Sequence, residues 1–425
     1  MITEHGRVSA PTEEVPMNKA QERRKAVVVG GSLAGLFAGL HLMKNGWDVE
    51  IFERVPEKLD GRGAGIVTHQ ELFDALAAVG IDPSDNLGVE VPGRVAFAAD
   101  GSIIERCDKP QLLTAWGRLF ELLLRQFPES EYHRGEKFER FEDDGQKVTV
   151  RFTSGRVAVA DLLVAADGVR SSVRTQVEPQ SQPVYAGYVA WRGLVNETDL
   201  SERARHEMAP YFAFSLPEGE QMLGYPVAGE ANSTEPGHCR YNFVWYRPAD
   251  QNDQLPWLLT DTSGNMNGAS IAPTMIRDEV IAEMRQGAQT LLSPQFAELV
   301  EKTKQPFIQP IYDLTIGSMA HGRVAIIGDA AFVARPHVGM GVTKAAADAV
   351  ALAECLLERS VPEALQLFHH KRHPVDLLVV DHARRLGAYM QAQASSEEER
   401  QAAERYRTPS AVLRETASSG FLSDI

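Results

Sequence analysis

Cysteine and long apolar runs are scarce in this 425-residue chain, and basic residues are fewer than acidic ones. Each of these features excludes a class of protein. Its 3 cysteines, Cys107, Cys239 and Cys355, are far apart and odd in number, so neither a disulfide framework nor a metal knuckle is indicated. No apolar stretch approaches the roughly 18–20 residues of a transmembrane helix. The formal net charge of -15 argues against nucleic acid and anionic membranes as main partners.

The first 25 residues are polar and charged, and they lack the apolar centre of a secretory signal peptide. We interpret residues 1–25 as a flexible arm that precedes the fold. Scarce, unpaired cysteines fit a reducing compartment, so the protein is expected to be cytoplasmic. At 44% hydrophobic residues, the chain has enough apolar material for a sizeable core.

The beginning of the folded part has the pattern of a β-α-β unit. A strand-like run at 26–29, a helical pattern at 33–45 and a second strand at 48–52 follow one another. Such a unit is expected to have parallel strands and a right-handed connection. After residue 323 the same pattern of buried strand and helix resumes.

Alternating, aromatic-rich segments between 184 and 314 are typical of antiparallel strands. We therefore predict an α/β fold: a discontinuous Rossmann-like nucleotide-binding domain, an inserted and mostly antiparallel β-sheet substrate domain, and C-terminal helices. The predicted boundaries are 26–180 and 316–425 for the two parts of the nucleotide-binding domain, and 181–315 for the inserted domain. Helices are predicted at 70–79, 112–126, 277–292, 343–359, 363–373 and 375–393, and roughly the last 15 residues are predicted to be loose.

Three motifs carry chemistry, and the first is Gly30-Gly31-Ser32-Leu33-Ala34-Gly35, between a strand and a helix. Gly30 permits a tight turn, Gly35 permits close packing of helix on strand, and Ser32 replaces the middle glycine of the dinucleotide fingerprint. Glu53, 18 residues beyond Gly35, is placed to bond an adenosine ribose. That carboxylate fits FAD or NAD and disfavours NADPH at this site. The alternative is a plain glycine turn of an α/β fold.

The second motif is Asp167-Gly168, at the end of a buried strand and before a basic, serine-bearing segment. An aspartate that caps a helix or turn is the structural alternative. The third motif begins with Gly328-Asp329, passes through Pro336 and ends in Gly339-Met340-Gly341 before a helix. A carboxylate here suits ribityl hydroxyls, beside a helix N-terminus that stabilises negative charge on a flavin ring. Asp329 as a simple helix cap is the alternative.

The three motifs in this order resemble those of the single-component FAD-dependent aromatic hydroxylases, over nearly the whole chain from about 26 to 390. The resemblance implies FAD as cofactor and NAD(P)H as co-substrate. It places the ADP half of FAD at Gly30, Ser32, Leu33, Gly35, Glu53 and Arg54, both FAD and NAD(P)H near Asp167 and Gly168, the ribityl chain at Asp329, and the isoalloxazine against Pro336, Gly339, Met340, Gly341 and Val342.

The chain departs from the common family pattern at three points. Phe332 stands where a histidine is frequent, Ser32 replaces a glycine, and Trp116 stands where an FAD-contacting arginine is common. Arg62 is a candidate replacement for that cation, and a solvated loop arginine is the equal alternative. The segments 188–193, 225–229 and 334–337 resemble most the dihydroxypyridine-hydroxylase branch of the family.

The resemblance implies hydroxylation of a small hydroxylated heteroaromatic or phenolic ring, of hydroxypyridine type, with NAD(P)H and O2 through a flavin hydroperoxide. No metal is required, and a homodimer is the assembly considered. A histidine or tyrosine near the flavin is expected to activate the substrate hydroxyl. The candidates are His337, Tyr225 and His238; simple packing of the aromatic side chains in the sheet is the alternative.

Other flavoprotein classes were weighed against this prediction. A flavin halogenase is disfavoured because no two tryptophans lie two residues apart, as the W-x-W-x-I-P signature of that class requires. A flavin-dependent reductase of isoprenoid double bonds would differ in consuming no oxygen. A non-catalytic flavin redox sensor is disfavoured by the acidic charge and by the lack of a recognisable DNA-binding segment.

Overall fold

The computed structural model describes residues 23–59, 65–82, 86–268, 270–392 and 396–422. The strands are β1 Lys25–Val29, β2 Asp48–Glu53, β3 Gly65–Val67, β4 Val89–Val91, β5 Arg94–Phe97, β6 Ile103–Cys107, β7 Gln111–Ala115, β8 Tyr132–Arg134, β9 Phe138–Asp143, β10 Val148–Phe152, β11 Val157–Ala160, β12 Leu162–Ala165, β13 Val184–Asn196, β14 Phe212–Ser215, β15 Gln221–Val227, β16 Arg240–Pro248, β17 Phe307–Asp313, β18 Ala320–His321 and β19 Val324–Ile326. The helices are α1 Leu33–Lys44, α2 Gln70–Ala78, α3 Trp116–Gln126, α4 Ser172–Val177, α5 Glu202–Glu207, α6 Gln254–Leu259, α7 Asp278–Leu291, α8 Pro294–Lys302, α9 Gly341–Cys355, α10 Val361–Leu386, α11 Glu397–Tyr406 and α12 Pro409–Glu415.

A six-stranded sheet of order β18-β19-β12-β1-β2-β8 joins distant parts of the chain. Strand β1 pairs in parallel with β2 and β12, and β12 pairs in parallel with β19. Residues 26–29 of β1 are all buried, which is the continuous apolar pattern of a parallel sheet covered on both faces. The discontinuous Rossmann-like fold is confirmed, because β19 comes from beyond the inserted sheet.

The inserted sheet has seven strands in the order β17-β13-β16-β15-β14-β5-β6 and is antiparallel except where β14 meets β5. On β13, Trp191 packs into the core that also holds residues of α7 and α8. Tyr188 packs into the core on the opposite face. Tyr188 and Trp191 thus face opposite sides of the sheet, as alternation along a strand requires.

Several element predictions are corrected. Strands β5 and β6 lie within 26–180, yet they extend the seven-stranded sheet through the pairing of β5 with β14. The predicted helix 112–126 begins only at Trp116, because the residues before it form β7 and pair with β3 and β4. Tertiary pairing overrides the local helical pattern there.

The two helices predicted on either side of Pro374 are one continuous helix, α10. Arg372 and Asp376, two residues before and after the proline, are tied into one buried ion network, which holds the helix together across Pro374. Such contacts offset the hydrogen bond that a proline removes from a helix interior.

The end of the chain is also more ordered than predicted. Helix α12 forms; its residue Leu413 is buried, as is Ala417, which follows the helix. The buried guanidinium of Arg94 donates to the carbonyls of Leu413 and Thr416. Of the predicted N-terminal arm, residues 1–22 lie outside the described part, and Lys25 already belongs to β1.

Cys107, Cys239 and Cys355 are free thiols. A search of the described helices finds none with the length and apolarity to cross a membrane.

Buried histidines that stay neutral make the free energy of unfolding depend on pH. His382 is the histidine chosen to test this dependence. Its ring stacks on Phe421 at 4.1 Å between centroids, and burial, then Arg385 and Arg405, lowers its pKa to about 4. The unfolded chain takes up this proton first as pH falls below about 6.5, so the stability due to His382 decreases from there down to about pH 4.

We expect the His382→Phe variant to lose about 1 kcal/mol less unfolding free energy than the wild type between pH 7 and pH 5.5. Urea unfolding followed by circular dichroism at both pH values measures the difference. Equal losses for the two proteins would show that His382 does not titrate as described.

Candidate functional site

The first glycine turn is shaped by backbone contacts that exclude side chains. Gly30 has φ +107, and a Cβ there would lie 2.3 Å from the carbonyl oxygen of Ala166 on β12's end. A Cβ on Gly35 would lie 1.9 Å from the oxygen of Gly30. These contacts bring α1 against β1 and β12, and they explain both glycines physically.

Gly31 is a functional position that the sequence argument missed. Its amide donates to Glu53 Oε2 at 2.9 Å, and the hydroxyl of Tyr132 donates to its carbonyl at 2.7 Å. A Cβ on Gly31 would meet that hydroxyl at 2.2 Å. The doubled glycine was the available signal. Glu53 also accepts from the amide of Val55, so its buried carboxylate is fixed at the end of β2.

A cavity of about 190 Å³ opens in front of this turn. Its walls include six of the predicted cofactor contacts, namely Gly30, Ser32, Glu53, Arg54, Asp167 and Gly168, and also Trp116. Leu33 is buried as the first residue of α1, and the Ser32 hydroxyl makes no capping bond to that helix. The N-terminus of α1 therefore faces the cavity with free donors, as anion binding requires.

The two carboxylate oxygens of Asp167 differ: one supports the start of α4, and the other has no partner among the described residues. Its Oδ2 accepts from the amides of Ser172 at 2.7 Å and Val173 at 3.4 Å, so the carboxylate does support the start of α4. Its Oδ1 is buried without a partner among the described residues. Burial raises the pKa of this carboxyl, and the hydrogen bonds at α4 oppose that shift. One carboxylate oxygen is thus left for a ligand.

Arg174, in the basic segment that follows Asp167-Gly168, connects the second motif to the third by hydrogen bonds. Its buried guanidinium donates to the carbonyls of Val169 and Ala330, at 2.8 and 2.9 Å. These two contacts hold the Asp167 and Asp329 turns at a fixed separation.

The Asp329 turn is held by side chains of α9. Gly328 has φ +58; its amide donates to Asp348 Oδ2 at 3.0 Å, and Lys344 Nζ donates to its carbonyl at 3.0 Å. The Asp329 side chain is accessible, yet loss of bulk water around it raises the pKa of its carboxyl against the opposing charge of Lys344.

Lys344 and Asp348 belong to a buried ion network that also includes Arg372 and Asp376 of α10. Arg372 bonds Asp348 at 2.8 Å and Asp376 at 2.5 Å, and Lys344 lies 3.7 Å from Asp376. Burial, and next Asp348, raises the pKa of Asp376 to about 7. Two cations and two carboxylates thereby anchor the Asp329 turn to two helices.

The last predicted cofactor segment turns into α9. Pro336 opens a short 3-10 turn, Gly339 ends it with φ +66, and Met340 precedes the helix without a capping side chain. A Cβ on Gly341 would meet nothing within 4 Å, so the first turn of this 15-residue helix opens onto free space. Val342 is half-buried beside it, and Arg62 lies outside the described residues.

His337 lies on this segment, buried between it and the seven-stranded sheet. Its Nε2 is 2.8 Å from the Tyr188 hydroxyl, and its ring centroid is 4.2 Å from that of Tyr246. Its Nδ1 is buried without a partner among the described residues. Burial, followed by the charges of Arg335 and Arg192, lowers the pKa of His337 to about 3. The imidazole is neutral at physiological pH.

The face of the sheet that meets His337 is aromatic, and its rings are buried. Tyr225 and Tyr246 lie on it, and burial raises the pKa of both hydroxyls, to about 12 for Tyr246, although Arg192 opposes the shift. Tyr225 also contacts the backbone at Gly65, where a Cβ would meet its ring at 2.2 Å. His238, in contrast, is exposed on the connection between β15 and β16 and does not join this group.

A second cavity, of about 1080 Å³, separates α3 from the same face of the sheet. Trp116 and Phe120 of α3 line one side, and Leu194, Asn242 and Phe307 line the other. Since Trp116 also lines the smaller cavity, the two spaces meet at this tryptophan.

Comparisons with known proteins identify the family. A family model described as FAD binding domain-like matches residues 185–313. The 2,6-dihydroxypyridine 3-monooxygenase of Paenarthrobacter nicotinovorans is 32% identical over 333 residues, which cover 78% of this chain and 82% of that protein. The chain belongs to the FAD-dependent aromatic hydroxylases. The aurachin C monooxygenase/isomerase of Stigmatella aurantiaca is 29% identical over 360 residues, 81% of this chain and 84% of that protein.

A solved structure supports the same family. That of 2,6-dihydroxypyridine-3-hydroxylase from Arthrobacter nicotinovorans superposes with a TM-score of 0.82 at 29% identity, covering 88% of this chain and 94% of its own. FAD is the cofactor of this hydroxylase. The turns at Gly30, Asp167 and Asp329, together with the N-terminus of α9, form a cradle that fits this cofactor. The unpartnered Asp167 Oδ1, the accessible Asp329 and the open space at Gly341 are all available to a ligand.

Among the described residues of the hydroxylase, one group has the geometry of a metal site, Glu50, Glu131 and His133, whose ligand atoms lie within 4.8 Å of one another. Glu50 and His133 already pair at 3.1 Å. The group is part of the partly exposed end of β2 and β8 and does not touch the cradle.

We expect Asp329→Ala to weaken FAD binding by about 10- to 100-fold, because a ribityl hydroxyl loses a charged acceptor. Titration of the apoprotein with FAD, followed by the quenching of flavin fluorescence, measures the dissociation constant. Asp381→Ala, which removes a half-exposed carboxylate of α10, is the matched control. An unchanged FAD affinity in Asp329→Ala would exclude the ribityl role.

Proposed function

We propose that this hydroxylase acts with NAD(P)H and O2 on a small hydroxylated heteroaromatic or phenolic ring of the hydroxypyridine type. The observation that carries the proposal is the meeting of His337, on the predicted flavin segment, with the buried aromatic face of the seven-stranded sheet. A flat ring is the substrate shape that such walls accept. The relative named as a 2,6-dihydroxypyridine 3-monooxygenase supports the hydroxypyridine class.

In this proposal the three motifs divide the cofactor between them. The ADP half is bound by Gly30, Ser32, Leu33, Gly35, Glu53 and Arg54, with Asp167 and Gly168 behind it; Asp329 binds the ribityl chain; and Pro336, Gly339, Met340, Gly341 and Val342 lie against the ring system. The N-terminus of α9 stabilises negative charge on the flavin. The chemistry that FAD supplies when bound is the acceptance of electrons from NAD(P)H and their use to activate O2.

His337 orients the substrate in this proposal and does not act as its base. With a pKa of about 3, the imidazole has too little affinity for a proton at neutral pH. The Tyr188 hydroxyl, whose pKa is raised by burial, stays protonated and donates to Nε2, which leaves the ring proton on Nδ1. Nδ1 then donates to an oxygen of the substrate ring. Tyr225 and Tyr246 exclude water from the same space.

The proposed setting is a reducing cytoplasm, which the three free thiols fit, and a homodimer is the proposed assembly.

The function is tested by assaying the purified yellow protein for NADH and NADPH oxidation and oxygen consumption with a panel of hydroxypyridines and phenols. We expect at least one ring to stimulate both rates and to yield a product with one added oxygen atom by mass spectrometry. Oxidation without oxygen uptake would favour the reductase alternative. No stimulation by any ring would count against the hydroxylase function.

We expect His337→Gln to lower kcat/KM for the best ring of that panel about 10-fold or more, through the loss of one positioned hydrogen bond. The pH profile of kcat/KM between pH 5 and pH 8 should keep the same shape in both proteins, because a group with a pKa of about 3 is already deprotonated across this range. An ionisation near pH 6.5 that disappears in the variant would instead assign His337 as the base.

A further inference from the structure

Among the described residues, Arg192 on β13 is a buried cation without a counter-charge. Its residue is 9% exposed, and its Nε is enclosed without a hydrogen-bond partner. Within the same ranges, its guanidinium forms no ion pair with a carboxylate. An unpaired buried charge costs several kcal/mol, so a fold retains one where a ligand supplies the compensating charge.

Other buried arginines of this chain show how differently a structural guanidinium is treated. Arg94 donates to several backbone carbonyls and to Gln111. Arg174 donates to three carbonyls, and Arg335 forms a two-pronged pair with Asp313 at 2.8 to 3.2 Å. Hydrogen bonds from the terminal guanidinium nitrogens thus hold these three cations within the fold, although Arg94 Nε is itself unpartnered, whereas Arg192 has no such bonds among the described residues.

The position of Arg192 directs it to the proposed substrate space. Its direct cross-strand neighbours are Val244 on β16 and Phe307 on β17, and neither is charged. Phe307 lines the larger cavity, as do Leu194 and Asn242, which pair with each other one step further along the same face. The charge of Arg192 is close enough to act on the pKa values of three residues of this face. It adds to the effect of burial in lowering the pKa of His337, and it opposes the effect of burial in raising the pKa values of Tyr225 and Tyr246.

Unsatisfied polar atoms gather around the same face. His337 Nδ1, Asn242 Nδ2 and Gln221 Nε2 are buried without partners among the described residues, and so is the Tyr389 hydroxyl. Gln221 and Asn242 lie on the Arg192 face because they pair in register with Tyr246 and Tyr225. All four atoms are donors, His337 Nδ1 in the tautomer proposed for it, and the charge of Arg192 acts on His337. Their natural partner is a ligand rich in negatively polarised oxygen or nitrogen.

Among the described residues, the same site has no group suited to take a proton from a neutral substrate. His337 binds a proton only well below neutral pH, and the raised pKa values of Tyr225 and Tyr188 keep both hydroxyls protonated. A ring that must be electron-rich to react therefore has to enter, or be held, already ionised.

We propose that Arg192 is the charge partner of the substrate, and that the site selects aromatic rings carrying an anionic oxygen, as a deprotonated ring hydroxyl or a ring carboxylate. Arg192 is thereby a specificity-determining residue for a charged ring over a neutral one of equal size. The inference rests on the proposed function for the location of the substrate space, but it concerns binding and not turnover.

The test measures the binding of three matched probes to the FAD-loaded enzyme by quenching of flavin fluorescence. 4-Nitrophenol ionises near neutral pH, 4-nitrobenzoate is a carboxylate, and 4-nitroanisole has similar size but cannot ionise. Each is titrated against the wild type, Arg192→Gln and Arg192→Lys at pH 8. The absorption of 4-nitrophenolate also reports directly whether the bound ring is ionised.

We expect Arg192→Gln to weaken at least one anionic probe by about 10- to 100-fold and to leave 4-nitroanisole within about twofold, since only a charge-assisted contact is lost. Arg192→Lys should keep the preference for the anion with a smaller loss of affinity, because the charge remains without the planar fork. The probe with the larger loss identifies the source of the anionic oxygen. The lysine variant also keeps the test valid if Arg192→Gln does not fold.

Equal losses for 4-nitroanisole and both anions would assign Arg192 a structural role and overturn the proposal. Unchanged affinities in both variants, or failure of both anions to bind the wild type, would overturn it as well. Failure of the proposed function has a different signature: the probes bind in an Arg192-dependent way, but no ring stimulates the oxidation of NAD(P)H.

Discussion

The buried network of Lys344, Asp348, Arg372 and Asp376 is the interaction on which the cofactor cradle depends. Asp348 accepts a hydrogen bond from the amide of Gly328, and Lys344 donates one to its carbonyl. These two bonds fix the residue before Asp329 to α9. Since the N-terminus of α9 also opens onto the predicted flavin space, one helix sets the position of the carboxylate and of the positive dipole end together. Arg372 carries the constraint to α10.

This arrangement is costly unless it is complete. Two cations and two carboxylates enclosed in protein repay their desolvation only because each pairs with its neighbours and with the Gly328 backbone. Arg174 extends the framework to the second motif by bonding the carbonyl of Ala330. The turns of the cradle are therefore held together by these bonds. The aromatic face of the seven-stranded sheet forms the opposite wall of the candidate site. At that wall polar atoms are left unsatisfied, and rigidity there comes from the packing of rings.

The sequence was sufficient for the features that depend on local pattern. The β-α-β unit, the antiparallel insert and the alternation of Tyr188 and Trp191 follow from periodicity, and the three motifs led to the family. Contacts between distant segments could not be predicted in this way. Strand β7 was hidden in a helical pattern, and α10 passes through Pro374 because its flanking charges are tied to another helix.

The candidate site shows the same division. Residues whose role is written in a motif, such as Gly30 and Asp329, were named from the sequence, whereas Gly31, Tyr132 and Arg174 act through partners far along the chain. His238 was selected for its type alone, and its exposed loop position removed it from the group. Arg192 belongs to none of the three motifs, and only the absence of a partner among the described residues marks it.

The bond from the amide of Ala417 to the carbonyl of His337 ties one of the last described segments to the wall of the site. A Cβ on Gly339 would also touch Ala417, at 2.7 Å. During translation, the glycine turn after β1 emerges from the ribosome long before this closing segment. A nascent chain can thus form that turn well before it can close the wall of the site, because residue 417 has to be synthesised first.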